Sequence, residues 1–104
     1  MHYRGKSISI QDLPVKDLYI CDVNDATVTK SSVHIVGSDN WSLTATGFDG
    51  KCYQCEYTSD DEEHLSGTCE LGLYEAQDKK IVFFGPWRDR NRSGQWLIEL
   101  TPAV

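Results

Sequence analysis

The stretch from Gly67 to Leu100 constrains the fold more than any other part of the chain. It contains three short runs in which apolar residues occupy every second position, separated by two polar segments. A period of two is typical of a β-strand with one buried face. Because a slip of one residue would turn every apolar side chain to solvent, the alternation also limits the register. The stretch therefore predicts a three-stranded antiparallel meander.

Specific cross-strand neighbours follow from matching the apolar faces. The predicted pairs are Leu73 with Ile81, Phe83 with Ile98, Gly85 with Trp96, Val82 with Glu99, and Phe84 with Leu97. Gly85 lacks a Cβ atom, so it leaves room for the indole ring that faces it.

Three further strands are predicted between Val33 and Ser59. They are joined by a turn at 38–40 and a three-residue hairpin loop at 48–50, where Gly50 supplies a positive φ. The polar segment 59–66 then leads into the meander. The predicted pairs are Trp41 with Tyr57, Leu43 with Cys55, Ala45 with Tyr53, Cys55 with Cys69, and His34 with Thr44. Residues 33–100 are thus expected to form six consecutive antiparallel strands.

The N-terminal part of the chain has a weaker pattern. Residues 1–17 suggest a short strand around Ile8 and Ile10, followed by either one helical turn from Asp12 or a loop. Residues 18–23 and 26–30 flank Asn24-Asp25, which predicts a two-residue hairpin turn.

These elements predict one all-β domain over residues 1–104, an antiparallel meander of six to eight strands. A sheet of this size must cover its apolar face by curling into a small barrel or folding into a sandwich. Short sequential turns favour the up-and-down barrel. With Gly-Pro-Trp at 85–87 and Gly-Gln-Trp at 94–96, the architecture resembles lipocalin- and avidin-like barrels. Lipocalins carry such a tripeptide in the first strand, whereas these lie near the chain's end, and the resemblance implies no functional residues.

Charge and hydropathy exclude some classes of function. The net charge is −6, with −9 in residues 31–78, zero in residues 1–30 and +3 in residues 79–104. An acidic chain without clustered bases is not expected to bind nucleic acid generally. No apolar run reaches 18 residues, and the N-terminus lacks a signal-peptide pattern, so we expect a cytoplasmic protein without a membrane span. Its four cysteines are then expected to be mostly free thiols.

The chain has few candidates for chemistry. Cys52 and Cys55 form a C-x-x-C motif, but residues three apart on a strand face opposite sides, so no shared metal is predicted. The acidic run at 60–63, next to His64, lacks the spacing of a calcium loop and is interpreted as a solvated turn. No pairing of a nucleophile with a base is visible, so catalysis is the least supported function and no cofactor is predicted.

The favoured hypothesis is an accessory protein that acts through its surface. The predicted register places Tyr74, Val82, Phe84 and Leu97 together on the outer side of the sheet. A contiguous exposed apolar patch usually marks an interaction site. Either the N-terminal segment or another chain would cover it, and a homodimer is predicted because two-fold association is the commonest solution. A different protein partner is the alternative.

The alternative hypothesis is a barrel that carries or senses a small apolar ligand. Its interior would be lined by Trp41, Tyr53, Tyr57 and Trp96, with tyrosine hydroxyls to orient the ligand. A separate anion-binding site is conceivable at the hairpin tip that carries Arg88, Arg90 and Arg92, because guanidinium groups bind carboxylates and phosphates in pairs of hydrogen bonds.

Overall fold

The computed structural model describes residues 2–29, 31–38, 40–48, 52–59 and 66–103. Eight strands fill most of these ranges. They are β1 (His2–Leu13), β2 (Asp17–Val28), β3 (Val33–Gly37), β4 (Trp41–Phe48), β5 (Cys52–Ser59), β6 (Ser66–Glu75), β7 (Ile81–Asp89) and β8 (Ser93–Pro102). A three-residue 3-10 helix, Gln77–Lys79, connects β6 and β7.

Each strand pairs antiparallel with the next, and β1 pairs with β8, which closes the barrel. This is the sequential order of an up-and-down barrel, and closure removes every sheet edge. The prediction of an all-β fold curled into a small barrel is confirmed, as are the six strands between residues 33 and 100. Among the described residues, no helix is long and apolar enough to span a membrane.

The N-terminal predictions were partly wrong. β1 is a twelve-residue strand that includes Asp12, so of the two alternatives for this segment the helical turn does not form, and residues 14–16 connect β1 to β2 as a short loop. Asn24-Asp25 makes no hairpin turn, because β2 runs straight through it as one strand. The register on both sides of β2 shifts beside Asn24, which is therefore an extra residue in a β-bulge. The polar pair interrupts the ladder without reversing the chain.

The register is confirmed in the β7–β8 pair, at Cys55–Cys69 and at His34–Thr44, and is wrong in two places. Leu73 lies opposite Phe83 rather than Ile81, because the β6–β7 turn is tighter and brings Glu75 to Ile81. The pairs observed for β4 and β5 are Trp41 with Ser59, Leu43 with Tyr57, and Ala45 with Cys55. In both places the observed pairing differs from the predicted one by two residues, so each side chain stays on its predicted face.

A bulge explains why the apolar face of β4 survives this error. Phe48 lies opposite Tyr53, so it belongs to the strand and not to the predicted loop at 48–50, whose other two residues lie outside the described residues. The register then shifts by one between Ala45 and Gly47. After this shift the observed pairing differs from the predicted pairing by two residues, which is an even number. Each side chain therefore keeps its predicted face, and Leu43 stays inside the barrel.

The core fills the half of the barrel that holds the β2–β3 and β6–β7 connections. Its largest fully buried side chains are Val33, Ile35, Leu43, Leu71, Phe83, Ile98 and Leu100. Leu43, Tyr53, Leu71, Phe83 and Ile98 are buried together in one cluster. The other half of the interior is occupied by larger aromatic rings and is open at its end.

Candidate functional site at the barrel mouth

A cavity of about 380 Å³ opens at the end of the barrel where β1 turns into β2 and β7 turns into β8. Its volume lies at the lower end of the range for small-molecule sites. Eight-stranded barrels are just wide enough either to be filled by side chains or to hold one small ligand. This barrel combines the two, with a packed core at one end and a cavity at the other.

The bottom of the cavity is formed by four aromatic side chains, which we call the aromatic floor: Trp41, Tyr57, Trp87 and Trp96. Trp96 lies between two neighbours, with ring centroids 5.2 Å from Trp41 and 5.3 Å from Tyr57. Tyr57 also meets Trp87 edge to face at 6.2 Å. These are the distances of rings in direct contact. The floor is therefore a cluster of contacting rings that meet at steep angles of 58°, 89° and 87°.

Every indole N–H of the floor is used within the protein. The hydrogen bonds run from Trp41 Nε1 to Cys21 Sγ (3.0 Å), from Trp87 Nε1 to the Gln95 carbonyl (3.1 Å) and from Trp96 Nε1 to Ser7 Oγ (2.7 Å). Gly37 lets the first ring lie flat on β3, because a Cβ atom there would overlap the Trp41 indole. The bonds fix all three rings and leave apolar ring surface toward the cavity.

One side of the cavity is polar, and we call it the polar wall: Ser7, Ser9 and Gln11 of β1 with Asp17 and Tyr19 of β2. Successive inward positions of the two strands supply these side chains, since Ser9 lies opposite Tyr19 and Gln11 opposite Asp17. Burial decreases toward the opening, from 2% exposure at Ser7 to 50% at Tyr19. Hydroxyl and amide groups thus lie at successive levels between the floor and the rim.

Arg92 lies at the rim and is paired with Asp89. Its Nε and Nη2 atoms donate to Asp89 Oδ2 at 2.9 and 2.6 Å, and its guanidinium carbon lies 5.8 Å from the Trp87 ring centroid. Burial by itself raises the pKa of Asp89, but hydrogen bonds from Arg92 and from the Asn91 backbone outweigh it and hold that pKa below its ordinary value. The carboxylate therefore neutralises the guanidinium.

The Tyr57 hydroxyl is the buried polar group of the floor. It has no hydrogen-bond partner of good geometry among the described residues, and it lies directly over Gly67. Desolvation raises the pKa of this phenol above its usual range, and the nearby Asp89 charge raises it further. Tyr57 is therefore neutral at physiological pH.

The structure brings together three of the four residues predicted to line a ligand site. Trp41, Tyr57 and Trp96 belong to the floor, whereas Tyr53 lies in the packed half, where its ring contacts Phe83 at 5.7 Å and its hydroxyl donates to the Thr29 carbonyl. Sequence reasoning missed Trp87 and the whole polar wall. The available signal was the alternation in β1, where serines at positions 7 and 9 interleave with isoleucines.

The three arginines of the β7–β8 hairpin do not converge. Arg92 faces the cavity, whereas Arg88 lies on the outer surface in a separate groove with Thr68 and Glu70. Arg90 is exposed in the turn between β7 and β8. The hairpin therefore does not present the three guanidinium groups to one anion.

The predicted outer patch is exposed, with Tyr74 at 58% and Phe84 at 41% exposure, while Val82 and Leu97 are half-buried. The N-terminal segment does not cover it. β1 lies beside β8 in the barrel wall and places Ile8 opposite Leu97, with Ile20 of β2 beyond Ile8. We call Ile20, Ile8, Leu97 and Phe84 the outer apolar row. The segment expected as a cover thus widens the patch across two more strands.

No disulfide joins the four cysteines, all of which lie within the described ranges; Cys52 is half-buried and the other three are buried. No group of three or more potential metal ligands occurs within the described ranges. The acidic run at 60–63 and His64 lie outside those ranges. His34 is an exposed residue whose Nδ1 lies 3.1 Å from Thr44 Oγ1.

Comparison with known proteins gives no match: no family model, no curated protein and no solved structure is significantly similar to this chain.

Proposed function

We propose that the protein binds a small organic molecule in the cavity at the barrel mouth. The observation that carries this proposal is that an aromatic floor and a polar wall line the same cavity of about 380 Å³. Apolar surface with a few convergent polar groups is the usual composition of a small-molecule site. The ligand would lie on the floor and form its hydrogen bonds with β1 and β2.

Pre-organisation of the floor supports this proposal. The three indole rings are held by hydrogen bonds and ring contacts before any ligand arrives. A rigid site loses less conformational entropy on binding than one that must order its side chains. The cavity therefore has the properties of a binding site for a carrier or a sensor.

The test is a fragment screen read by the indole N–H signals of the three tryptophans in two-dimensional NMR spectra, with affinities from calorimetry. Binding should shift the floor signals in a saturable way. Ser9→Trp should abolish binding, because the larger side chain fills the cavity that Ser9 lines. Ile8→Trp is the matched control, since Ile8 belongs to the opposite face of the same strand. A screen without hits, or hits unaffected by Ser9→Trp, would refute the proposal.

Self-association through the outer apolar row is a second candidate function. The row crosses the four neighbouring strands β2, β1, β8 and β7. The adjacent outward-facing positions on three of these strands carry Asp22, Lys6 and Glu99. Within one chain Lys6 Nζ lies 3.0 Å from Asp22 Oδ1 and Lys80 Nζ lies 3.8 Å from Glu99 Oε1. These exposed pairs carry both signs of charge, so they can extend to the same pairs of a two-fold related copy that covers the patch. We therefore propose a homodimer built on this face.

Light scattering after size-exclusion chromatography tests the dimer. The expected mass is twice the 11.8 kDa of one chain. Phe84→Glu should give a monomer, because it places a charge at the β7 end of the row, on an exposed aromatic residue. Val15→Glu adds the same charge at an exposed apolar residue of the β1–β2 turn and should leave the dimer intact. A wild-type monomer at micromolar concentration would refute this candidate.

A further inference from the structure

We infer that the ligand of the mouth cavity is a neutral, planar heterocycle that carries hydrogen-bond donors and acceptors along one edge. This inference rests on the proposed binding function and narrows it to a chemical class. It follows from the contacts that the floor and the wall can and cannot offer.

The floor can contact one face of a ring but cannot enclose a group. Its neighbouring centroids are 5.2, 5.3 and 6.2 Å apart and the ring planes are inclined by 58°, 89° and 87°, so the rings pack closely against one another and a flat ligand can stack on the face of only one of them. An organic cation is best bound when several rings surround it. The floor therefore offers the face of a single ring to a flat ligand, and its closely packed rings leave no space between them for an ammonium group.

The floor also offers no indole donor. The N–H groups of Trp41, Trp87 and Trp96 all have acceptors inside the protein, and breaking such a buried bond is unfavourable. The Tyr57 hydroxyl is buried against Gly67. Polar groups on the stacked face of a ligand would lose water without compensation. That face must therefore be apolar, as the face of an aromatic ring is.

The wall supplies the complementary polar contacts. Ser9 and Tyr19 lie opposite each other at the level above Ser7, and each hydroxyl can both donate and accept. The Gln11 Nε2 atom donates a hydrogen bond to the Val15 carbonyl, which leaves the Gln11 amide oxygen as an acceptor. These groups come from two adjacent strands on one side of the cavity. They can pair with one edge of a flat molecule but not with its whole circumference.

Charge around the cavity favours a neutral ligand. The charged side chains among the described lining residues are Asp17 and Arg92. Asp89 holds the Arg92 guanidinium by two contacts of 2.9 and 2.6 Å, so an anion would have to compete with a partly buried carboxylate. Asp17 is exposed, and its Oδ1 accepts the Leu18 backbone N–H. Neither charge provides a strong counterion for a ligand.

Four bicyclic probes of similar shape test the inference. Quinolin-2-one is neutral and has an N–H and a carbonyl on one edge, whereas naphthalene has the shape without polar atoms. Naphthalene-2-carboxylate and N-methylquinolinium add a negative and a positive charge. The indole N–H signals of the native protein report binding of each probe. Quinolin-2-one should bind at least about tenfold more tightly than the other three, which corresponds to about 1.4 kcal/mol.

Variants of the wall then locate the edge contacts. The double variant Ser9→Ala with Tyr19→Phe removes two hydroxyls and should weaken quinolin-2-one about tenfold or more while leaving naphthalene unchanged. Tyr74→Phe, which removes an exposed hydroxyl on the outer face, should change neither affinity. Intact indole signals confirm that each variant folds.

The outcomes separate this inference from the proposed function. If naphthalene or a charged probe binds as tightly as quinolin-2-one, the cavity binds ligands but the heterocycle class is wrong. If the double variant weakens naphthalene equally, the edge contacts are wrong. If none of the probes binds and the fragment screen also fails, the binding function itself is refuted.

Discussion

Ser7 and Trp96 are 89 positions apart in the sequence, yet Trp96 Nε1 donates a buried hydrogen bond of 2.7 Å to Ser7 Oγ. The two residues belong to the first and last strands, whose pairing closes the barrel. A buried indole N–H without an acceptor is costly, so this bond favours the closed arrangement over an open sheet. The same bond fixes the central ring of the aromatic floor.

Replacing Ser7 by Ala should therefore destabilise the protein by about 1–3 kcal/mol, the cost of leaving a buried donor unsatisfied. Chemical denaturation of wild type and variant measures the difference. Ser9→Ala is the control, because Ser9 faces the same cavity on the same strand but lies nearer the opening. It should cost no more than about 0.5 kcal/mol. Equal losses in the two variants would contradict the special role of Ser7.

The apolar alternation was sufficient to predict the strands from Val33 onward, because each has one face in the core. It failed in β2, where Asn24-Asp25 has the composition of a turn but forms a bulge. Bulges and turns use similar polar residues, and only the pairing partners decide between them. Register errors in β4 and β6 have the same origin, since a bulge or a tighter turn is invisible in the alternation.

The candidate site was harder to predict than the fold. Alternation in β1 distinguishes two faces, and the ordinary expectation turns the isoleucines inward and the serines outward. The structure reverses this, with Ser7 and Ser9 inside and Ile8 outside. The reason is tertiary, because the part of β1 that carries Ser7 and Ser9 borders the cavity, whereas Tyr3 near the start of the strand packs against the core. Nothing within β1 itself reports where along the strand the packed core ends and the cavity begins.

Leu71 tests the packed half of the barrel. Its side chain is fully buried, so Leu71→Ala should lower the free energy of unfolding by about 2–5 kcal/mol. Leu73→Ala on the same strand should cost less than about 1.5 kcal/mol, since Leu73 is already 38% exposed. Urea unfolding of both variants gives the comparison. A larger loss at Leu73 than at Leu71 would mean that the packed core is centred nearer the β6–β7 connection than the structure places it.

Asp89 gives a pH-dependent prediction. Its pKa is lower in the folded protein than the ordinary value of about 3.9, so its contribution to stability is present above that value and is lost as the pH falls through the folded pKa. Asp89→Asn should cost about 1–3 kcal/mol at neutral pH, toward the lower end because Arg92 is one-third exposed. The difference from wild type should shrink in acid below about pH 4.

Urea unfolding at several pH values measures this dependence. Asp78→Asn is the control, because Asp78 is exposed and forms no ion pair with any described residue. Its effect should be small at every pH. A difference between wild type and Asp89→Asn that stays constant down to the lowest pH would show that the carboxylate charge is not the cause.

The four thiols should differ in reactivity. Cys52 is half-buried, whereas Cys21, Cys55 and Cys69 are buried. A hydrogen bond with Cys55, together with burial, raises the pKa of Cys69 well above its usual range, which keeps it protonated. An aromatic disulfide reagent should therefore titrate one thiol quickly in the native protein and all four in urea. Cys52→Ser should remove the fast phase and Cys55→Ser should leave it; two fast thiols in the wild type would contradict this.

Gly94 and Gly47 are two glycines whose surroundings differ. A Cβ atom at Gly94 would overlap the carbonyl of Ile10 on the neighbouring strand, whereas one at Gly47 would meet nothing within 4 Å. Gly85 resembles Gly94, because its obstacle is the Glu70 carbonyl and not the Trp96 ring that the sequence suggested. Backbone on an adjacent strand cannot rotate away as a side chain can. Gly94 is thus required for the close approach of β8 to β1.

Gly94→Ala should accordingly destabilise the barrel by about 1–3 kcal/mol or more, the cost of overpacking against a fixed neighbour. Gly47→Ala should be neutral or stabilising by up to about 1 kcal/mol, because Ala reduces the entropy of the unfolded chain. Thermal and urea unfolding of the two variants measure the contrast. Since both changes add the same methyl group, the intrinsic preference of Ala over Gly is common to them. A Gly94→Ala protein as stable as Gly47→Ala would mean that β1 and β8 are not in close contact and that the barrel is open between them.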